Sequence, residues 1–297
     1  MSRGVFILAG ATASGKTRAA IALARRFDAE IVGADSRQIY RGMPIGTAAP
    51  TAEERAAVPH HMVEFLEPDA RYSAARYAAD AMRAIRDIHG RGRRVVVVGG
   101  TGFYIRALAG DVRLAPQQDD VLRARLAREA QLHPAEFLHE WLRLLDPVRA
   151  AALDSNDRYR VLRALEIALT PEPAALDVAH TSLAAESINY AKVFLDVDLG
   201  TIDARIGART DAMLAEGLID EAERIGGGAV AASAVGYPQA LAYLAGRSTW
   251  SELRDTLARA TRRYARRQRA WFRAEPQTHW VAPGDLERAA RELLGWS

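Results

Sequence analysis

Short apolar runs alternate with amphipathic stretches through the first hundred or so residues. Val5–Leu8 is a continuous apolar run that leads into a Gly-rich segment, and Thr17–Arg26 then carries apolar residues at helical spacing. Glu30–Gly33 predicts a second short strand, ending at Asp35. Ser73 predicts the cap of a helix running to about His89, with Ala, Met and Ile on one face. Val95–Val98 is a run of four valines, the pattern of a strand buried on both faces, and it ends in Gly99-Gly100-Thr101-Gly102. Strands alternating with helices predict an α/β fold, a mostly parallel sheet wrapped by helices.

The texture changes between about Asp111 and Asn189. Val121–Gln131, Ala135–Leu145 and Asn156–Leu169 read as amphipathic helices with no strand between them, punctuated by Pro116, Pro134, Pro147, Pro171 and Pro173. The pattern predicts an all-helical insertion domain over 111–189, set into a core domain made of 1–110 and 190–297. The strand pattern returns at Lys192–Asp198. A helix follows from Thr201 toward Glu216, and a long one from about Trp250 to Arg273. Gly226-Gly227-Gly228 is expected to be a flexible loop.

With 297 residues, 49% hydrophobic and 26% charged, the chain has the composition of a globular protein large enough for a core and an insertion. No apolar run approaches the ~20 residues of a membrane helix, and Val5–Ala9 is too short for a signal-peptide core. No membrane association is expected. Cysteine is absent, which removes disulfide and thiolate chemistry and fits a cytoplasmic location. The net charge of +3 says little alone, but arginine supplies nearly all the positive charge: Lys16 and Lys192 are the only lysines.

Lys16 lies in Gly10-Ala11-Thr12-Ala13-Ser14-Gly15-Lys16-Thr17, a full match to the P-loop pattern G-x-x-x-x-G-K-[ST], between a strand and a helix as that motif requires. Gly10, Thr12, Ala13, Ser14 and Gly15 would wrap backbone N–H groups around a phosphate at a helix N-terminus. Lys16 would neutralise it, and the Thr17 hydroxyl would hold a Mg2+ ion. Such a loop is often a nucleotide or ATP-binding motif, so a P-loop kinase of nucleotides or small molecules is one reading. Kinase-like sites hold their metal with an acid at the end of another strand. The valine strand ends instead in Gly99-Gly100-Thr101, while an acid, Asp35, closes the second strand as a metal ligand, a base or an acceptor-binding group.

Further blocks accompany this loop: Asp35-Ser36-Arg37-Gln38-Ile39-Tyr40; Met43 with Gly46-Thr47-Ala48; Val58-Pro59-His60-His61; Tyr72-Ser73; Val98-Gly99-Gly100-Thr101-Gly102-Phe103-Tyr104; Asn156-Asp157-Arg158 leading to Arg163-Ala164-Leu165-Glu166. Later come Asp211-Ala212-Met213-Leu214, Gly217-Leu218, Ala234-Val235-Gly236-Tyr237, and Thr261 through Gln268 with Trp271-Phe272. In this order the blocks resemble the tRNA dimethylallyltransferase (isopentenyl-tRNA transferase) family over most of the chain. Ala49 and Pro238 depart from that pattern, where a lysine and a basic residue are common.

The resemblance implies a Mg2+-assisted transfer of a dimethylallyl group from dimethylallyl diphosphate to N6 of the adenosine immediately 3′ of the anticodon, by a cytoplasmic monomer. It implies that the P-loop holds the leaving pyrophosphate, that Asp35 is the base toward the exocyclic amine, and that Thr101 approaches the phosphate. It further implies that Asp35, Ser36, Arg37, Gln38, Thr101, Gly236 and Tyr237 meet the tRNA. In the insertion, Arg123, Tyr159, Arg160 and Arg163 would meet the anticodon stem-loop. His60-His61 would lie in a loop near the site.

A separate sign of nucleic acid lies in the long helix. At ~100° per residue, Arg259, Arg262, Arg263, Arg266, Arg267, Arg269 and Arg273 share an arc of about 160°, with Leu257, Tyr264, Ala265, Gln268 and Phe272 largely opposite. No acid lies between Arg259 and Arg273, and the stripe predicts a phosphate-binding face that includes Arg262 and Arg266. The target adenine must be flipped out of its loop to reach a buried base.

Overall fold

Val5–Ala9 forms β1 (Val5–Ala9), every residue of it at most 2% exposed, with strands paired on both of its edges and helices packed against it. In the computed structural model, which describes residues 4–112, 120–170 and 181–297, six parallel strands make one sheet. They are β1, β2 (Ala29–Gly33), β3 (His60–His61), β4 (Arg94–Gly99), β5 (Tyr190–Leu195) and β6 (Thr278–Val281), in the order β3-β2-β4-β1-β5-β6. Val5 to Ala9 pair with Val95 to Gly99 on one side and Tyr190 to Phe194 on the other. All strands run the same way, so the segments leaving β1, β2, β4 and β5 gather at one edge. That is where ligands bind in open α/β sheets.

Helices α1 (Lys16–Phe27), α2 (Pro44–Thr47), α3 (Ala52–Ala57), α4 (Ala74–Gly90) and α5 (Gly102–Ala109) belong to the first half. Ser73 accepts a hydrogen bond from Arg76 N and caps α4 as expected. Then α6 (Asp120–Leu132), α7 (Ala135–Leu145), α8 (Pro147–Ala151) and α9 (Arg158–Leu169) follow with no strand between them, around a small core of Leu126, Leu138, Leu142, Val161 and Leu165. The chain returns to the sheet and adds α10 (Leu199–Ala215), α11 (Leu218–Ile225), α12 (Tyr237–Leu244), α13 (Trp250–Arg273) and α14 (Leu286–Leu294). No helix of the described residues is long and apolar enough to cross a membrane.

Contacts divide the chain into one unit of Met1–Val112 with His180–Ser297 and another of Arg113–Ala179. The second is shorter at its C-terminal end than the 111–189 expected. Leu183 N donates to Leu108 O (2.8 Å) and Ala184 N to Ala109 O (3.2 Å), which ties this stretch to α5. Pro134 precedes α7 and Pro147 opens α8, whereas Pro116, Pro171 and Pro173 lie outside the described residues.

Three expectations need correction. The strand placed at Lys192–Asp198 starts at Tyr190 and stops at Leu195, because the Asp198 carboxylate accepts from Thr201 N (2.8 Å) and caps α10. The helix expected from Asn156 starts at Arg158, where Asp157 is the cap. His60-His61 is not a loop beside the site but an edge strand, paired to Ile31 and Val32. His61 Nε2 there meets Glu30 Oε2 at 2.7 Å, and Arg91 meets the same oxygen at 2.7 Å.

Candidate active site

The loop after β1 turns through Ala13 at φ 62° and Gly15 at φ 87°, both left-handed. Successive turns of this kind point backbone N–H groups into a concavity that suits an anion. The Ser14 hydroxyl is buried in the loop without a hydrogen-bond partner, the kind of group a bound oxyanion satisfies. A Cβ on Gly10 would lie 2.8 Å from that oxygen, so any side chain there would force the Ser14 hydroxyl to shift. Lys16 and Thr17 open α1, both partly exposed. The Thr12 amide is committed to Gln268 Oε1 (2.8 Å), which leaves Thr12 its hydroxyl to offer.

Asp35 and Thr101 come together from the ends of β2 and β4. Ala34 N donates to Val98 O (2.7 Å) and Thr101 N to Ala34 O (3.2 Å), which zips the two segments. The Thr101 hydroxyl accepts from Ser36 N (2.9 Å) and lies 3.3 Å from Ser36 Oγ. Its contact in this structure is therefore to the Asp35-Ser36 turn. Asp35 Oδ1 accepts from Arg37 N (2.9 Å), and Oδ2 has no hydrogen-bond or ion-pair partner among the described residues. The carboxylate is fixed through one oxygen and open through the other.

Two cations that sequence reasoning missed reach this site from α10. Arg205 Nη1 donates to Ser14 O (3.0 Å) and holds the loop from outside. Arg209 lies near Lys16 and Asp35. Burial pushes the Lys16 ammonium pKa down, the Asp35 charge pulls it up, and Arg209 lowers it further. For Arg209 too, burial disfavours the charge and Asp35 favours it. Two half-buried cations interacting with one carboxylate leave a net positive balance beside the loop, which suits an anionic ligand. The Asp35 charge is also felt by Tyr104 and Tyr264. Burial and that negative charge raise both phenols, so they stay neutral.

From α13 comes Gln268, 5% exposed. Beyond its bond to Thr12, its Nε2 donates to Gly100 O (3.0 Å), so one side chain joins the loops that follow β1 and β4. The arginines of the same helix sit on its other side, with Arg259, Arg263, Arg266, Arg267 and Arg273 exposed. The acids missing from the Arg259–Arg273 stretch are supplied by neighbouring segments. Asp203 lies 3.8 Å from Arg262 and 3.5 Å from Arg266, and Asp196 lies 3.0 Å from Arg269. The Asp203 pairs are exposed enough that each contributes at most about 1 kcal/mol, so Arg262 and Arg266 remain available to phosphate. Arg269 is different: it also donates to Val197 O (2.7 Å), stacks on Trp280 and is 13% exposed, which makes it scaffold.

Three residues expected at an RNA surface have their groups used internally. The Tyr237 side chain is fully buried, its hydroxyl bonded to Glu221 Oε1 (2.7 Å). Gly236 donates its N–H to Gln239 Oε1 (2.9 Å), gives its carbonyl to Ala240 N (2.9 Å) and takes φ 112° to start α12. Gln38 spends its amide N–H groups on Thr47 O (3.2 Å) and Ala48 O (2.8 Å). Ser36 and Arg37 stay partly exposed beside Asp35. Of the two departures from the family pattern, Ala49 is buried within the turn after α2, whereas Pro238 is exposed in the first turn of α12.

Within the helical unit, Arg123 sits partly exposed on α6. Tyr159 on α9 is 71% exposed. Arg160 is exposed beside Asp157 (3.3 Å). Arg163 pairs at 2.9 Å with the buried Glu166.

Comparison with known proteins adds a second line of information. Residues 38–275 match the family model described as IPP transferase. The chain is 47% identical over 294 residues to the tRNA dimethylallyltransferase of Anaeromyxobacter sp. (strain K), covering 97% of this chain and 96% of that protein. It is 41% identical over 281 residues to that of Geobacter sulfurreducens, covering 93% and 90%. The fold superposes on the full-length tRNA isopentenylpyrophosphate transferase of Bacillus halodurans with a TM-score of 0.72, 34% identity and coverage of 99% and 97%.

Proposed function

The chain belongs to the IPP transferase family, and from that premise we propose that it moves a dimethylallyl group from dimethylallyl diphosphate to the exocyclic N6 of the adenosine 3′-adjacent to the anticodon. It is a prenyltransferase acting on tRNA, not a kinase. The end of β4, Gly99-Gly100-Thr101, also lacks the carboxylate that a P-loop kinase places there.

The observation that carries the reading is the charge arrangement at the sheet edge. Lys16 opens the helix behind the loop, the charges of Lys16 and Arg209 both act on Asp35, and the turn that carries Asp35 is braced by Thr101. The exocyclic nitrogen attacks the allylic carbon. The carbon–oxygen bond breaks with its electron pair going to the diphosphate, and the nitrogen's proton passes to the free oxygen of Asp35. The amide concavity, Lys16 and Arg209 stabilise the charge that grows on the leaving diphosphate.

Among the described residues no group of three or more His, Asp or Glu side chains could hold a metal ion. This suits Mg2+, which is commonly held by substrate phosphates with few protein ligands. Thr17 would be the protein's ligand, and the ion would screen the diphosphate charge when bound. The tRNA would lie on the arginine face of α13, with Arg262 and Arg266 among its contacts and Arg123, Tyr159, Arg160 and Arg163 reaching the anticodon stem. The same reading sets the enzyme in the cytoplasm as a monomer.

Incubation with labelled dimethylallyl diphosphate, Mg2+ and unmodified tRNA tests the proposal. Label on one adenosine, lost in Asp35→Ala while tRNA binding persists, is the expected result. No transfer by folded protein that binds tRNA would refute it.

A further inference from the structure

We propose that Gln268 is a positioning residue that couples RNA binding on α13 to the shape of the diphosphate site. The inference rests on the reading that the exposed arginines of α13 meet RNA, and it adds the element through which that contact is felt.

Gln268 lies opposite Arg259, about 180° around the helix at ~100° per residue. Its amide is used at both ends: Oε1 holds Thr12 N at 2.8 Å, and Nε2 holds Gly100 O at 3.0 Å. Thr12 immediately precedes Ala13, whose left-handed φ of 62° turns the phosphate loop. A non-glycine residue in that conformation needs its surroundings to hold it there. The Thr12 hydrogen bond supplies such a hold on one side, and Arg205 on Ser14 O supplies another.

The fit leaves little slack. A Cβ on Gly100 would lie 2.1 Å from Gln268 Nε2, and one on Gly102 would lie 2.0 Å from Trp271 Nε1, one helical turn further along α13. The two glycines allow the underside of α13 to press directly on the turn that leads into Thr101, and Thr101 holds Ser36 beside the Asp35 carboxylate. A displacement of α13 therefore moves the Thr12 amide and the Gly100 carbonyl together. Diphosphate loop and acceptor carboxylate share one lever, whose outer face is cationic.

The test is pyrophosphate affinity, with Mg2+ present, measured by calorimetry with and without an anticodon stem-loop RNA. In the native protein the RNA should change pyrophosphate affinity about tenfold, in the ordinary range for coupled sites. In Gln268→Ala that ratio should fall toward one, while RNA affinity changes less than about twofold, since Gln268 faces away from the arginines. Gln268→Glu supplies a pH readout. A carboxylate can accept from Thr12 N but repels the Gly100 carbonyl, and its protonated form can again donate to it. Coupling in that variant should therefore recover as pH falls.

If Gln268→Ala fails to fold, Gln268→Glu alone decides: coupling that ignores pH overturns the proposal. So does an RNA effect of equal size in Gln268→Ala and native protein, or no RNA effect in native protein. A native enzyme that prenylates tRNA with uncoupled sites refutes this proposal only, whereas failure of prenyl transfer refutes the functional reading.

Discussion

Replacing Tyr237 with phenylalanine separates a structural residue from an RNA contact. Tyr237 is fully buried and donates to Glu221 Oε1 at 2.7 Å. Glu221 is equally buried and also accepts from Ile45 N (3.0 Å) and Gly46 N (2.8 Å). The carboxylate thereby satisfies the first amides of α2. A Cβ on Gly46 would lie 2.6 Å from the Tyr237 ring, so ring and turn are in direct contact. Tyr237→Phe keeps the ring and removes one hydrogen bond to a carboxylate, a contact worth about 1.5–3 kcal/mol. Glu221 Oε1 keeps Gly46 N and is not orphaned, which favours the lower part of that range, about 2 kcal/mol. For a protein of 297 residues the melting temperature should fall by about 3 °C, at about 2.1 cal/mol/K of unfolding entropy per residue. Urea unfolding followed by tryptophan fluorescence gives the stability, and filter binding gives tRNA affinity. The expectation is lost stability with unchanged affinity. A stability change below about 0.5 kcal/mol, or an affinity loss without a stability loss, would show that Tyr237 does not serve Glu221.

Four other outcomes are expected. Gly100→Ala should weaken pyrophosphate binding at least tenfold, because its Cβ would fall 2.1 Å from Gln268 Nε2, and Gly100→Ala with Gln268→Ala should recover part of the loss in a double-mutant cycle. Replacing Arg259, Arg263 and Arg267 together by alanine should reduce the slope of log tRNA affinity against log salt by about 2–3, at about 0.7–0.9 per lost phosphate contact. Arg269→Ala should instead lower stability, and an unchanged slope in the triple variant would remove α13 from the RNA surface. Glu30 supplies a pH dependence: burial opposes its charge, but hydrogen bonds from Arg91 and His61 prevail and lower its pKa. A carboxylate with a depressed folded pKa stabilises above its unfolded value, near ~4.3, and the stability is lost as pH falls through the folded value. Urea midpoints measured downward from about pH 5 should therefore drop more steeply in the native protein than in Glu30→Gln. Parallel curves would contradict the assignment.

Much of the site's frame was legible in the sequence because its signals are local. The loop from Gly10 to Thr17 carries its chemistry in eight consecutive residues, and the valine run before Gly99 is buried on both sides wherever a parallel sheet forms. Asp35 at the end of β2 and the arginine face of α13 were visible for the same reason, since strand ends and helix faces follow from period alone. The edge strands β3 and β6 were not, because two and four residues carry too little alternation to register.

Tertiary structure alone decided which polar groups are spent inside the protein. Gln268 stands 256 residues from Thr12 and 168 from Gly100, and Arg205 stands 191 from Ser14. Glu221 draws Tyr237 inward, and Asp196 and Asp203 answer arginines that had seemed alone on their helix. A buried amide or phenol looks the same in sequence as an exposed one. Its role depends on the partner that the folded chain brings within hydrogen-bond distance, and no local period encodes that partner.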